Sequence, residues 1–387
     1  MTGLESKRRI YLDNAATTPI REEVKQYMLE VMNGPFGNPS STHQFGRKAK
    51  SVVEEARKYI SKTLGCTGNE IVFTSGGTEA DNAALTLAVR DCGVKRIITS
   101  KMEHHAVLHT AEALAKNFGV ELVFVNLLDK GVVDLNHLEE LLKEGTPTLV
   151  SLMHGNNEVG NLLDLKTVGT MCRAHNAYFH TDTVQTMAHC ELDLSELPID
   201  FLAASAHKFY GPKGVGFMYV NHRVKCHSFI SGGSQERNMR GGTENVLGIA
   251  GLHKAFQLSI ENMEAENAHI TDLKQYMIDQ LKAEVTDVRF NGLSDQLDKS
   301  LLTVLSCSLP CLPKDGMYLF TLDMNGVMVS GGSACTSGSQ KGSHVIEAID
   351  PDNQCAIIRF SFGKNNTREE LDYVIETLKN MMVPVPA

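Results

Sequence analysis

The stretch Ser205-Ala206-His207-Lys208-Phe209-Tyr210-Gly211-Pro212-Lys213-Gly214-Val215-Gly216 lies between two apolar runs, residues 199–204 before it and 215–220 overlapping its end. The runs read as buried strands, and the Gly/Pro punctuation between them reads as a turn. Lys208 therefore falls at the end of a core strand. Burial disfavours the charged amine and makes it more nucleophilic, which is what a Schiff-base lysine requires. Ser205 and His207 offer neutral donors of the kind a phosphate-bearing cofactor needs. A strand-end lysine that snorkels its amine to the surface fits this stretch equally well, so the remaining chain has to decide.

Outward from Lys208, apolar strand patterns alternate with amphipathic helix patterns. Residues 71–74, 96–100, 121–126, 148–153, 177–181, 201–205 and 215–219 read as strands. Residues 79–91, 106–118 and 135–144 read as helices. This alternation predicts an α/β fold with a mostly parallel, seven-stranded sheet covered on both faces. Beyond a helical region at 245–282 the texture changes to short strands at 288–290, 300–305, 327–329 and 357–361, with helices at 318–324 and 367–382. That tail predicts a smaller α+β domain joined by the N-terminal strand.

Ligands of such sheets bind at the carboxyl ends of strands, and polar residues recur there. Ser75-Gly76-Gly77-Thr78 opens a helix, where free N–H groups and the helix dipole favour an anion. A plain helix start capped by Thr78 is the competing reading. His104, after the 96–100 strand, has a ring able to stack on a flat cofactor, or it is a surface histidine. Asn156-Asn157 follows the 148–153 strand as an amide pair in a turn. Asp182, ending the 177–181 strand, is costly to bury unless paired. A protonated ring nitrogen would pair it, and so would a helix N-terminus. One cofactor accounts for all of these positions. Pyridoxal phosphate needs a linking lysine, a carboxylate for its ring nitrogen, a phosphate cradle and a stacking face.

Composition narrows the class. The chain has 387 residues with net charge -9, which argues against a nucleic-acid surface. No apolar run approaches the ~20 residues of a membrane span. Nine cysteines without paired spacing, and an N-terminus without an apolar signal core, predict free thiols and a cytoplasmic protein. No Cys/His group has zinc-like spacing, so no metal site is expected. Cys335 lies in a Gly/Ser-rich segment, 330–339, expected to be a mobile loop that can carry a thiol into a site and out again.

The chain also resembles the NifS/IscS-like cysteine desulfurases, which are fold-type I enzymes of the class V aminotransferase group. The resemblance is carried by residues 11–19 (YLDNAATTP), 37–41 (GNPSS), 73–79 (FTSGGTE), 153–158 (MHGNNE), 180–185 (HTDTVQ), 205–208 (SAHK), 240–245 (RGGTEN) and 333–338 (SACTSG), and by Arg359. It implies a pyridoxal phosphate domain over 16–258, and a small domain over 1–15 and 259–387 that carries the catalytic cysteine. It implies that Lys208 holds the cofactor, Asp182 faces the ring nitrogen, Gln185 the phenolic oxygen, and His104 stacks on the ring. Gly77, Thr78, Ser205 and His207 would bind the phosphate, with Thr243 reaching across a homodimer to the other subunit's phosphate. Asn157 and Arg359 would hold the carboxylate of L-cysteine, and Cys335 would accept its sulfur as a persulfide. The sulfur would pass to an acceptor protein, such as an iron–sulfur scaffold. The chain ends soon after Met382, where housekeeping members carry a longer tail that helps dock that scaffold. The chemistry is expected to carry over, and that docking is not. Selenocysteine lyase, an aminotransferase of the same fold, and a non-enzymatic nucleotide-binding protein built on the 75–78 loop remain the alternatives.

Overall fold

The computed structural model describes residues 8–310, 312, 317–331 and 342–382. A short strand, β1 (Ile10–Tyr11), opens the chain, followed by α1 (Glu22–Asn33) and α2 (Gln44–Thr63). Strands and helices then alternate: β2 (Ile71–Thr74), α3 (Gly77–Asp91), β3 (Arg96–Thr99), α4 (His105–Phe118), β4 (Glu121–Phe124), α5 (Leu135–Lys143), β5 (Thr148–Ser151), α6 (Leu165–Ala174), β6 (Tyr178–Asp182), β7 (Phe201–Ser205) and β8 (Gly216–Val220). Next come α7 (Val246–Glu261), α8 (Met263–Glu284), β9 (Arg289–Phe290) and β10 (Val304–Leu309). The chain continues through α9 (Met317–Met324), β11 (Val327–Met328), α10 (His344–Ile349), β12 (Ala356–Ser361) and α11 (Arg368–Met382).

The expected α/β architecture is present. Seven strands form one sheet in the order β2-β8-β7-β6-β5-β3-β4, parallel except for β8, which runs antiparallel to both its neighbours. Side chains alternate across this sheet, as strand geometry requires. Ile98, Val150, Leu202 and Phe217 pack on one face with α2, α5, α6 and α7. Ile97, Leu149, Phe201 and Met218 pack on the other with α3 and α4. Each such apolar side chain, fully buried, stabilises the fold by about 1.5–3 kcal/mol. A separate core joins β10 and β12 to α8, α9 and α11, and takes in Ile10 and Leu12 from the N-terminus. There β1 pairs in parallel with β11.

Three local expectations need correction. The strand expected at 300–305 is β10, Val304–Leu309, because residues 302–303 turn before it. A helix absent from the sequence reading, α6, fills the connection between β5 and β6, capped by the Asp164 carboxylate on the Thr167 N–H. The third is α3, which begins at Gly77 with Gly76 in the cap position and no side-chain cap, so Thr78 does not cap it.

Candidate active site

The loop between β7 and β8 holds Lys208 and is anchored by two aromatic side chains. Phe209 and Tyr210 are buried. The Tyr210 N–H donates to Thr18 Oγ1 at 2.7 Å, and the Arg21 guanidinium lies 4.7 Å from the Tyr210 ring centroid. The loop is thereby clamped to the N-terminal turn at residues 13–18. That turn also receives the lysine itself: Lys208 Nζ donates to the carbonyls of Ala15 at 2.6 Å and Ala16 at 2.9 Å. Gln185 Nε2 donates to the same Ala15 carbonyl at 2.9 Å, and His207 Nδ1 lies 3.1 Å from Thr17 Oγ1.

Facing Lys208 is the start of α3. A Cβ on Gly77 would stand 2.5 Å from Val184 Cγ2, and one on Gly216 would stand 2.8 Å from the Gly76 Cα. Glycine at both positions lets the 75–78 turn settle against β8 and the 182–185 turn. The uncapped first turn of α3, beside Ser205 and His207, leaves N–H groups suited to an anion.

The last residue of β6 is Asp182, which is buried. Its Oδ1 accepts the Val184 N–H at 2.8 Å. Burial, and then the nearby Asp81 carboxyl, push its pKa up to about 7, against the Val184 N–H, His180 and Lys208. His104 begins α4, and its Nδ1 accepts the Ala106 N–H at 3.1 Å. Burial and the adjacent Lys208 push the ring down to about 4. His104 is thus neutral at physiological pH, with the proton on Nε2.

Arg359 closes the site from β12. Its side chain is buried, Nη1 donates to the Asn157 carbonyl and Nη2 to Asp13 Oδ1, both at 2.8 Å. Its Nε is buried without a partner among the described residues. Asp13 Oδ1 also accepts Ser330 Oγ at 2.9 Å.

Gly77, Thr78, His104, Asn157, Asp182, Gln185, Ser205, His207, Lys208 and Arg359 line one cavity of about 230 Å³. Thr243 does not. It is exposed and borders a separate cavity with Ser75 and Arg240, where the Arg240–Glu79 ion pair (2.9 Å) ties its segment to α3. Cys335 lies outside the described residues. The described residues flanking it are anchored near the cavity: Ser330 on Asp13 and Arg359, Ser343 on the Glu158 carboxylate, and His344 on the Glu103 carbonyl. Sequence reading missed Asp81, which lines the cavity from α3, and Asp13, which holds Arg359. It also missed His344, whose ring centroid is 4.5 Å from that of His105. A polar residue one helical turn beyond the glycines was the available signal for Asp81.

A crossover α/β sheet with a lysine, a buried aspartate and an uncapped helix start gathered at its strand ends has the layout of an α/β group-transfer enzyme. The family described as aminotransferase class-V matches residues 10–374, and the chain belongs to it. It is 43% identical over 382 residues to the cysteine desulfurase IscS of Dictyoglomus turgidum, covering 97% of this chain and 95% of the relative. Identity to the cysteine desulfurase IscS of Clostridium botulinum strain Hall is 41% over 380 residues, with 97% and 94% covered. A solved NifS-like protein superposes with TM-score 0.88 at 33% identity, covering 97% of this chain and all of that one. A structure of SspA in complex with cysteine superposes with TM-score 0.78 at 30% identity, covering 92% and 100%. Within the class-V family, the chain belongs with the cysteine desulfurases. No helix among the described residues is long and apolar enough to cross a membrane.

Proposed function

We propose that this chain uses pyridoxal phosphate to convert L-cysteine to L-alanine and to pass the sulfur to Cys335. The observation that carries the reading is the convergence of Lys208, Asp182, the Gly77–Thr78 turn and Arg359 on one cavity. The donor set fits the cofactor. Asp182 is a buried carboxylate that lacks a full counter-charge, the start of α3 is uncapped, and a Cβ at Gly77 would fill the cradle. Lys208 would hold the cofactor, Asp182 its ring nitrogen and Gln185 its phenolic oxygen. Gly77, Thr78, Ser205 and His207 would hold its phosphate, and His104 its ring face. When bound, the cofactor supplies an aldehyde that condenses with amines and a ring that stabilises negative charge at Cα.

The protein's own groups do the rest. Arg359, which lines the cavity and has its guanidinium plane fixed by Asp13 and the Asn157 carbonyl, would hold the substrate carboxylate. Lys208 Nζ, once released, moves the proton at the substrate Cα. Neutral His104 has Nε2–H free of its capping bond and can donate it as a hydrogen bond to the substrate sulfur. The Cys335 thiolate then attacks the substrate sulfur. An S–S bond forms, the Cβ–S bond breaks, and its electron pair stays with carbon and takes a proton, giving alanine and a protein persulfide. Cys335 is five positions beyond Ser330 in the sequence, which bounds their separation at roughly 17 Å. Burial pushes the thiols of Cys66 and Cys172 up to about 12 and those of Cys190 and Cys226 up to about 11, which makes them poor nucleophiles.

A homodimer would let the exposed Thr243 serve a partner's phosphate site. The sulfur acceptor would be a cytoplasmic protein, an iron–sulfur scaffold among the candidates. The test is to incubate the loaded protein with cysteine and measure alanine and sulfide together, then locate the added sulfur by mass spectrometry. Equal amounts of both products and one sulfur on Cys335 support the reading. Alanine-free turnover, or sulfur on another cysteine, overturns it.

A further inference from the structure

Asp81 lies one turn into α3, is 1% exposed, and lines the cavity that holds Asp182. Strands β5 and β6 pair so that Ser151 lies opposite His180. Positions 180 and 182 alternate onto the same face of β6. Ser151 Oγ is 2.8 Å from His180 Nδ1. On the other side of the ring, His180 Nε2 is 3.3 Å from Asp81 Oδ1. Ser151, His180 and Asp81 are all buried, and neither Asp81 Oδ1 nor His180 Nε2 has another partner among the described residues.

The contact is longer than the about 2.7–2.9 Å of a charge-assisted bond, which is the length an ionised pair would favour. Asp81 and Asp182 are both buried beside one cavity, where two carboxylates repel and only one ionises readily. The negative charge has better support on Asp182, which accepts the Val184 N–H and is drawn down by Lys208. Burial pushes Asp81 up to about 8 and His180 down to about 4. The other titratable groups facing this region are Glu103 and His104, from the β3–α4 connection. Burial, with smaller contributions from Asp182 and Asp81, pushes Glu103 well up as well, and His104 is neutral.

We infer that Asp81 is a neutral carboxylic acid whose proton is directed at Nε2 of His180, that the ring's Nδ1–H donates to Ser151, and that Asp182 therefore carries the single negative charge facing the cavity. Asp81 is a positioning residue: it keeps His180 in one tautomer and withholds a second negative charge from Asp182. Its consequence for a cofactor ring nitrogen rests on the reading above, whereas the location of the proton does not.

The experiment uses histidine-labelled full-length protein, with and without pyridoxal phosphate. The nitrogen-15 resonances of His180 are assigned by their loss in His180→Gln or by through-space contact with Ser151. The expected result near neutral pH is a neutral ring with the proton on Nδ1. A doubly protonated His180, or one with its proton on Nε2, overturns the inference, and this measurement needs no change at Asp81. In the loaded protein, ionisation of Asp81 should appear as a mildly alkaline step in the visible absorption, and Asp81→Asn should abolish it. Persistence of that step in the variant also overturns the inference. A protein that never acquires visible absorption refutes the cofactor reading and leaves the tautomer measurement to decide this one.

Discussion

Replacing Arg359 with lysine keeps the charge and removes the fork. Arg359 is held on β12 opposite Ser306, 1% exposed, with Nη1 on the Asn157 carbonyl and Nη2 on Asp13 at 2.8 Å each. A lysine amine is a single point that serves one of those partners and cannot also present a paired edge to a carboxylate. A hydrogen bond to a charged group contributes about 1.5–3 kcal/mol net. Losing such a contact to the substrate carboxylate raises KM for cysteine roughly 10- to 100-fold, since about 1.4 kcal/mol is tenfold. The turnover number should fall less, because that carboxylate is bound alike before and during reaction. Leaving Asp13 or the Asn157 carbonyl unpaired should also cost about 1–3 kcal/mol of stability. Alanine formation against cysteine concentration gives the first quantity, and denaturant unfolding of the same preparation gives the second. Lowered stability with an unchanged KM would refute the substrate role and leave Arg359 as a structural tie between β12 and the N-terminal turn.

Asp182→Asn removes the buried charge at the end of β6 and should lower turnover by about 10²–10³, or roughly 2.7–4 kcal/mol, the scale seen when one preorganised electrostatic contact is deleted; near-normal turnover would show that Asp182 is not a charge partner. Gly77→Ala places a Cβ 2.5 Å from Val184 Cγ2, an overpacking of about 1–3 kcal/mol in the cradle, so the protein should lose pyridoxal phosphate on dialysis at least tenfold faster, read from its absorbance. Stability should fall in acid: burial pushes His104, His154, His180 and His207 down to about 4, so below about pH 6.5 the unfolded chain binds protons the folded chain does not. The raised carboxyls Asp81, Asp182 and Glu103 oppose this over the same range because they bind protons only when folded, so Asp81→Asn should steepen the acid loss in a denaturant series at stepped pH, and an unchanged slope would contradict the burial of that carboxyl.

Much of this protein is legible in the chain because the signals are local. The short continuous apolar runs at 71–74, 148–153 and 201–205 announce buried strands wherever they pair, and polar residues just after them mark the binding edge of a crossover sheet. Lys208, Asp182 and the Gly76-Gly77 turn were found by that rule, and the ordered motifs from residue 11 to 359 assign the family. A local pattern does not state which distant segments meet. Nothing near Lys208 says that its amine rests on Ala15 and Ala16, almost two hundred residues earlier, and nothing near Arg359 says that Asp13 holds its plane. The antiparallel placement of β8 and the late start of β10 are likewise matters of pairing, not of period. Asp81, His180 and Ser151 come from a helix and two strands, and each reads alone as an ordinary residue of its element. Sequence determined the elements and the chemistry at their ends, because hydrophobic period and turn residues act over a few positions. Tertiary structure alone decided which buried groups share a cavity, and so where their protons and charges lie, because those depend on distance and dielectric.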